Sequence, residues 1–187
     1  MGYLSQFKIS FSGLSQGLHE FNFTIGNKFF EEAPYNESEI KKADIDLKLL
    51  LLKQSGMLAL TFKFSSSVQV ECDRCLSESY IPVKGEHKLI VKFGEERENE
   101  AKPDDEVIVL PVSETELDLS QYIYEYMNLL LPLQKIPCEI LNDETLCNQA
   151  VLDKLNRFQH PEKDAEQEVD PRWAALQKLS SKTKKNK

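Results

Sequence analysis

The sequence lacks the long apolar runs that cross membranes. Its longest uninterrupted apolar stretches are no longer than Leu49–Leu52, whereas a spanning helix needs about 20 apolar residues. The first residues do not combine a basic start with an apolar block, so we expect no secretory signal. These absences predict a cytoplasmic protein with no membrane partner.

Sequence signatures of catalysis are also missing. The chain contains neither a phosphate-binding P-loop nor a GxGxxG pattern. Its three histidines, His19, His87 and His160, fall in different predicted elements, and no histidine–carboxylate or Ser–His–Asp pairing for acid–base or nucleophilic work is recognisable. We therefore predict no catalytic residue, no small-molecule substrate and a role in binding rather than in catalysis.

Positive charge is scarce overall and concentrated at one end of the chain. With 23 basic and 31 acidic residues, the net charge of −8 argues against a protein that coats nucleic acid. Residues 178–187, however, contain five lysines and no acid. Two interpretations stay open: a tail that touches RNA, or a solvated terminus that only aids solubility. The lysines are Lys178, Lys182, Lys184, Lys185 and Lys187.

Alternating apolar residues predict a long antiparallel hairpin over residues 43–72. In the first half every second residue from Ile45 to Leu51 is apolar, and Ser55-Gly56 supplies a turn. From residue 58 to residue 72 every second residue is again apolar or small, except Ser66. The same pattern predicts strands over residues 3–11, 20–25, 80–93 and 107–110, with a bulge at Gly85.

Further along the chain the apolar period changes from two to between three and four. A helix is predicted from a cap at Asp118 or Ser120 to about residue 130, where Pro132 follows. Further helices are predicted over residues 146–158 and after Asp170-Pro171. The predicted fold class is α+β, with an antiparallel sheet in the first two thirds that can curl into an open barrel, and helices in the last third. Residues 1–160 are predicted to form one domain, and residues 161–187 an acidic linker, a short helix and a basic tail.

The four cysteines leave three interpretations open. Cys72 and Cys75 form a CxxC pair at the end of a predicted strand, a spacing that can grip one metal ion. Together with Cys138 and Cys147 they could hold a structural zinc, or some of the four could be buried as small apolar residues. Alternatively, Cys72 and Cys75 alone could form a redox pair. Arg74, between the first two, is either a contact for phosphate or a protein partner, or an exposed turn residue.

The order of several motifs resembles the YceD-like family, the large-ribosomal-RNA accumulation proteins. The motifs are Cys72-Asp73-Arg74-Cys75-Leu76, Asp118-Leu119, Leu129–Leu133, Pro137-Cys138 and Asp170-Pro171-Arg172-Trp173, and they span roughly residues 40–180. The resemblance implies a role in accumulation or processing of the large ribosomal RNA, without an established enzymatic activity. The family pattern carries a second cysteine-rich cluster, which here is reduced to Cys138 and Cys147 with no second CxxC.

Three functions are compatible with these observations. The first is a non-enzymatic factor in ribosome biogenesis, whose acidic body binds an assembly protein and whose lysine tail contacts ribosomal RNA. Arg74 and Arg172 are predicted to contact the RNA or a protein partner. The second is a protein–protein adaptor with a structural zinc and no direct RNA contact. The third, a thiol-redox enzyme using Cys72 and Cys75, lacks the strand–CxxC–helix context typical of thioredoxin-like proteins.

Overall fold

The computed structural model describes residues 2–33, 38–94 and 106–159. The chain divides after Asn148 into two compact units, and the first contains every element below except α4, Gln149–Gln159. The first α-helix of the first unit is α1, Asn27–Glu32. The helix predicted after Asp170-Pro171 and the basic tail lie outside the described residues, and the predicted domain limits stay a prediction. Within the described ranges no helix is long and apolar enough to cross a membrane.

A five-stranded sheet forms the body of the first unit. Its strands lie in the order of the chain, β2 Gly17–Gly26, β3 Lys42–Lys53, β4 Met57–Glu71, β5 Glu78–Phe93 and β6 Glu106–Leu110. Neighbours from β2 to β5 are antiparallel, and β6 joins β5 in parallel. The predicted α+β class with an antiparallel sheet is therefore confirmed. The predicted closure into an open barrel is not observed. Among the described strands, β2 and β6 lie at opposite ends of the strand order and form the two open edges of the sheet.

The predicted hairpin is the centre of the core. β3 and β4 pair without interruption from Lys42 opposite Gln69 to Lys53 opposite Leu58. Alternate residues on one face of both strands are almost completely buried, and burial of each such side chain contributes about 1.5–3 kcal/mol. They include Ile45, Leu47, Leu49, Leu51, Leu58, Leu60 and Phe62. The period-two pattern thus reflects a sheet with one covered face.

The N-terminal segment differs from its predicted strand. Tyr3–Phe7 form a 3-10 helix, and only Lys8–Ser10 are extended as β1, which pairs with β7, Glu116–Asp118. The reason is local: the backbone N–H and the hydroxyl of Ser5 both donate to the carbonyl of Gly2, at 3.1 and 2.7 Å, and close a turn. Phe7 is fully buried all the same. The alternating pattern therefore predicted the burial of this side chain correctly, but not the conformation of its backbone.

Gly85 does not mark a bulge. β4 and β5 pair in continuous register, with Phe64 opposite Gly85. A Cβ at this position would lie 3.1 Å from Cδ1 of Leu130 and closer still to its Cδ2. Leu130 directly follows α2, Ser120–Leu129, whose Tyr126 ring contacts Phe62 at 5.1 Å. The glycine therefore lets the end of the helix approach the sheet.

Candidate functional site: a buried four-cysteine cluster

The CxxC turn connects β4 to β5. The backbone N–H of Cys72 donates to the carbonyl of Ser77, and that of Leu76 to the carbonyl of Cys72, both at 2.9 Å. Leu76 adopts φ 60°, a left-handed conformation that is uncommon for leucine. This tight turn buries Cys72 and Cys75, at 1% and 2% exposure, and leaves Leu76 67% exposed.

The second cysteine pair lies in two short helical turns after α2. Cys138 is in α3, Pro137–Ile140, which has proline at its first position. Cys147 follows the 3-10 helix Glu144–Leu146, where Asp143 accepts a hydrogen bond from the backbone of Thr145. The Ser77 hydroxyl donates to the carbonyl of Leu146 at 2.9 Å and joins this segment to the CxxC turn.

The structure brings all four predicted cysteines together. Side-chain contacts run from Cys72 to Cys75, from Cys75 to Cys147, and from Cys147 to Cys138. All four are buried free thiols. As they stand, however, no three cysteine, histidine or carboxylate side chains among the described residues form a group that could hold a metal ion. The sulfurs make a chain of neighbours rather than a closed ring.

Arg74 inserts a permanent positive charge beside the second pair. Its Nη2 lies 2.8 Å from Sγ of Cys138 and 3.4 Å from Sγ of Cys147, while Nη1 donates to Glu139 at 2.7 Å. Its Nε is buried and has no hydrogen-bond partner. The guanidinium thus interacts with the chain's own thiols. Because its side chain is still 36% exposed, the contact to RNA or a protein partner stays a prediction.

The thiols differ in their tendency to ionise. Burial would raise the pKa of Cys75, but hydrogen bonds with Ser77 and with the backbone of Asn148 outweigh it and lower that pKa to about 6. Burial raises the pKa of Cys72. Contact with Cys138 raises the pKa of Cys147 to about 11, although Arg74 acts in the opposite direction. The hydrogen bonds around Cys75 thus favour its thiolate form.

A second connection, between Asp73 and Lys135, fixes the turn to the segment before α3. The backbone N–H of Asp73 donates to the carbonyl of Lys135 at 2.9 Å, and the N–H of Lys135 donates to Oδ2 of Asp73 at 2.7 Å. The ammonium group of Lys135 lies 3.0 Å from Glu39 and 3.4 Å from Asp73, with only 11% of its side chain exposed. Glu39, and then Asp73, raise the pKa of this lysine.

Sequence reasoning missed this connection. Asp73 stands inside the CxxC motif, and Lys135 precedes Pro137-Cys138 by two residues. Their positions next to the two cysteine segments were the only available signal, since nothing in a single sequence pairs residues 62 positions apart.

A shallow recess of about 300 Å³ opens beside Arg74, Cys138 and Glu139. The other predicted contacts, Arg172 and the tail lysines, lie outside the described residues.

Fold and site together define an α+β protein with an open, mostly antiparallel sheet and a buried cysteine cluster at the CxxC turn. Residues 60–180 match the model of the family described as large ribosomal RNA subunit accumulation protein YceD. The chain belongs to this family, and the resemblance of its motifs is confirmed. The matched range includes all four cysteines and begins within β4. No curated protein and no solved structure matches the chain.

Proposed function

We propose that this chain is a non-enzymatic cytoplasmic factor that supports synthesis, processing or accumulation of the large-subunit (23S) ribosomal RNA. The observation that carries the proposal is the family match, since the family is named for accumulation of that RNA and the match runs through the cysteine cluster. The site is compatible with a non-enzymatic role, because most of its polar groups bind one another and hold two segments of the chain together.

Charge supports a division of labour within the protein. The body is acidic, and the five lysines of residues 178–187 are grouped where no acid neutralises them. Lysines neutralise phosphates and release counterions, so such a tail adds sequence-independent affinity for RNA. An acidic body repels RNA and suits a basic assembly protein. The partners proposed are ribosomal RNA through the tail and such a protein through the body.

The tail is tested by RNA binding at several salt concentrations. Deletion of residues 178–187 removes five cations, and the slope of log affinity against log salt should become shallower by about 4. A matched control replaces the same lysines by arginine and should keep the wild-type slope. An unchanged slope in the truncated protein would refute RNA contact by the tail.

The cellular role needs a separate test. Depletion of the protein should lower mature 23S RNA, or raise its precursors, relative to the small-subunit RNA. The full chain should restore the profile and the tail deletion should restore it less well. An rRNA profile that does not respond to depletion would contradict the proposed function whatever the protein binds in solution.

The alternative is an adaptor that binds proteins only and uses zinc for structure. The observation that favours it is the burial of all four thiols and the contact of Arg74 with two of them, which directs these groups toward the interior of the fold. Cross-linking in cells distinguishes the two functions. RNA cross-links to the chain support direct contact with RNA, whereas protein partners that survive nuclease treatment without any RNA cross-link support the adaptor.

A further inference from the structure

We propose that Cys72, Cys75, Cys138 and Cys147 bind one zinc ion as thiolates, and that Arg74 donates hydrogen bonds to the metal-bound sulfurs of the second pair. The ion would join the CxxC turn to residues 137–147. It is structural, because four protein ligands leave no open position for a substrate.

The first support is the convergence of two remote segments. Arg74 and Cys138 are 64 residues apart in the chain, yet their side chains touch. Contacts that do not involve sulfur, Asp73 with Lys135 and Ser77 with Leu146, already align the two segments. These contacts bring the two pairs of thiols together without any bond between sulfurs. All four thiols are at most 8% exposed. A buried set of four thiols on two short loops is the composition of a structural zinc site.

The second support is the weakness of the segment that carries Cys138 and Cys147. α3 has four residues and the following 3-10 helix has three, far below the length at which a helix is stable alone. Zinc binding energy is folding energy when the site exists only in the folded chain. A zinc ion would therefore stabilise this segment, whose own helices contribute little.

The third support is the position of Arg74. A guanidinium is always charged, and here one of its nitrogens contacts two sulfurs. A zinc ion with four thiolates carries two net negative charges, and N–H groups around such sites orient the ligands and stabilise the charge. Nη1 of the guanidinium donates to Glu139, whereas Nη2 is directed at the two sulfurs. The positive charge on that side of Arg74 suits a cluster of negatively charged sulfurs.

Binding requires a definite rearrangement. The sulfurs now touch in the order 72, 75, 147, 138 and do not surround a common point. Each must come within about 2.3 Å of the metal. Cys147 has extended backbone at the end of its 3-10 helix, so its side chain can turn without breaking a longer helix. Zinc binding would close this chain of sulfurs into a tetrahedron.

The test uses the full chain purified under reducing conditions without chelators. We expect about one zinc per chain by metal analysis, and cobalt substitution should give the intense visible absorption of tetrahedral thiolate coordination. Cys72→Ser and Cys138→Ser should lose the tightly bound metal. Val70→Ala, which weakens the same strand without removing a sulfur, should keep it. Arg74→Gln should keep the metal but release it to a chelator about 10-fold faster.

A serine variant that fails to fold would not decide the question, so the wild type must also be tested. Mass spectrometry after alkylation should find all four thiols protected by zinc and reactive after its removal. A folded wild type that contains little zinc, takes up none when it is added and gives no cobalt absorption would overturn the proposal. So would a disulfide within the cluster, or alkylation that zinc does not slow. None of these results bears on rRNA accumulation after depletion.

Discussion

Replacement of Asp73 by alanine tests whether the connection to Lys135 holds the cysteine segments together. The substitution removes the carboxylate that accepts the Lys135 N–H at 2.7 Å and lies 3.4 Å from its ammonium group. A hydrogen bond to a charged group contributes about 1.5–3 kcal/mol. The carboxylate is 43% exposed, which weakens its ion pair, and Lys135 keeps Glu39 at 3.0 Å. We expect a loss of about 2 kcal/mol in the free energy of unfolding.

Urea unfolding and thermal melting both measure this loss. For a chain of this size, a loss of about 2 kcal/mol lowers the melting temperature by roughly 4–8 °C. Asp73→Asn separates the two contributions, because it keeps an acceptor for the Lys135 N–H but removes the charge. Its loss should be about half as large. Asp44→Ala, an exposed aspartate on β3, serves as the control and should stay within about 0.5 kcal/mol of the wild type.

Two outcomes would refute this reasoning. An Asp73→Ala protein within about 0.5 kcal/mol of the wild type would show that the connection stabilises nothing. Equal losses in the alanine and asparagine variants would show that charge, rather than the hydrogen bond to the backbone, carries the effect. Zinc content measured in the same samples tells whether the turn still presents its sulfurs.

Two other substitutions probe how α2 is held on the sheet. Tyr126→Phe removes the hydrogen bond to Glu106 at 2.6 Å and should lower the free energy of unfolding by about 1 kcal/mol at neutral pH in urea titrations. Burial first, and then Glu106, raise the pKa of the Tyr126 phenol, so the neutral form is favoured in the folded state. The stabilisation from this neutral phenol is complete below the unfolded pKa of about 10 and is lost as the pH rises toward the higher folded pKa. Above about pH 10 the phenylalanine variant should therefore lose less stability than the wild type. Equal pH profiles of the two proteins would contradict the assignment. Gly85→Ala should lower stability by about 1–3 kcal/mol by overpacking against Leu130, and Leu130→Ala in the same chain should recover part of that loss; no loss in the single variant would show that the leucine simply moves aside.

Local periodicity was sufficient to predict most of the sheet. The alternation from Ile45 to Leu51 and from Leu58 onward follows directly from one buried face, and the observed strands extend only a residue or two beyond or short of the predicted limits. The helix from Ser120 was equally predictable from its apolar spacing, but the predicted cap was wrong, because the N-cap is Leu119, which makes no side-chain cap hydrogen bond. These elements depend on patterns within 10–15 residues, which a single sequence displays.

Features set by distant contacts were not predictable. Gly85 suggested a bulge from its own neighbourhood, whereas its position is required by Leu130, 45 residues later. The 3-10 helix at Tyr3–Phe7 depends on a serine hydrogen bond that competes with extended backbone. For the site, the cysteines were predicted as residue types, but neither the Asp73–Lys135 connection nor the contact of Arg74 with two sulfurs has any local signature.

The location of the cluster links stability to the proposed role. The CxxC turn connects the long, continuously paired strands β4 and β5, whereas the segment from Pro137 to Cys147 has only short helical turns of its own. The contacts that join residues 135–147 to the CxxC turn include a carboxylate, a serine hydroxyl, a guanidinium and the thiols. Because local stability follows such contacts, loss of one of them should loosen this segment before the sheet unfolds. A binding surface built on it would therefore depend on these contacts.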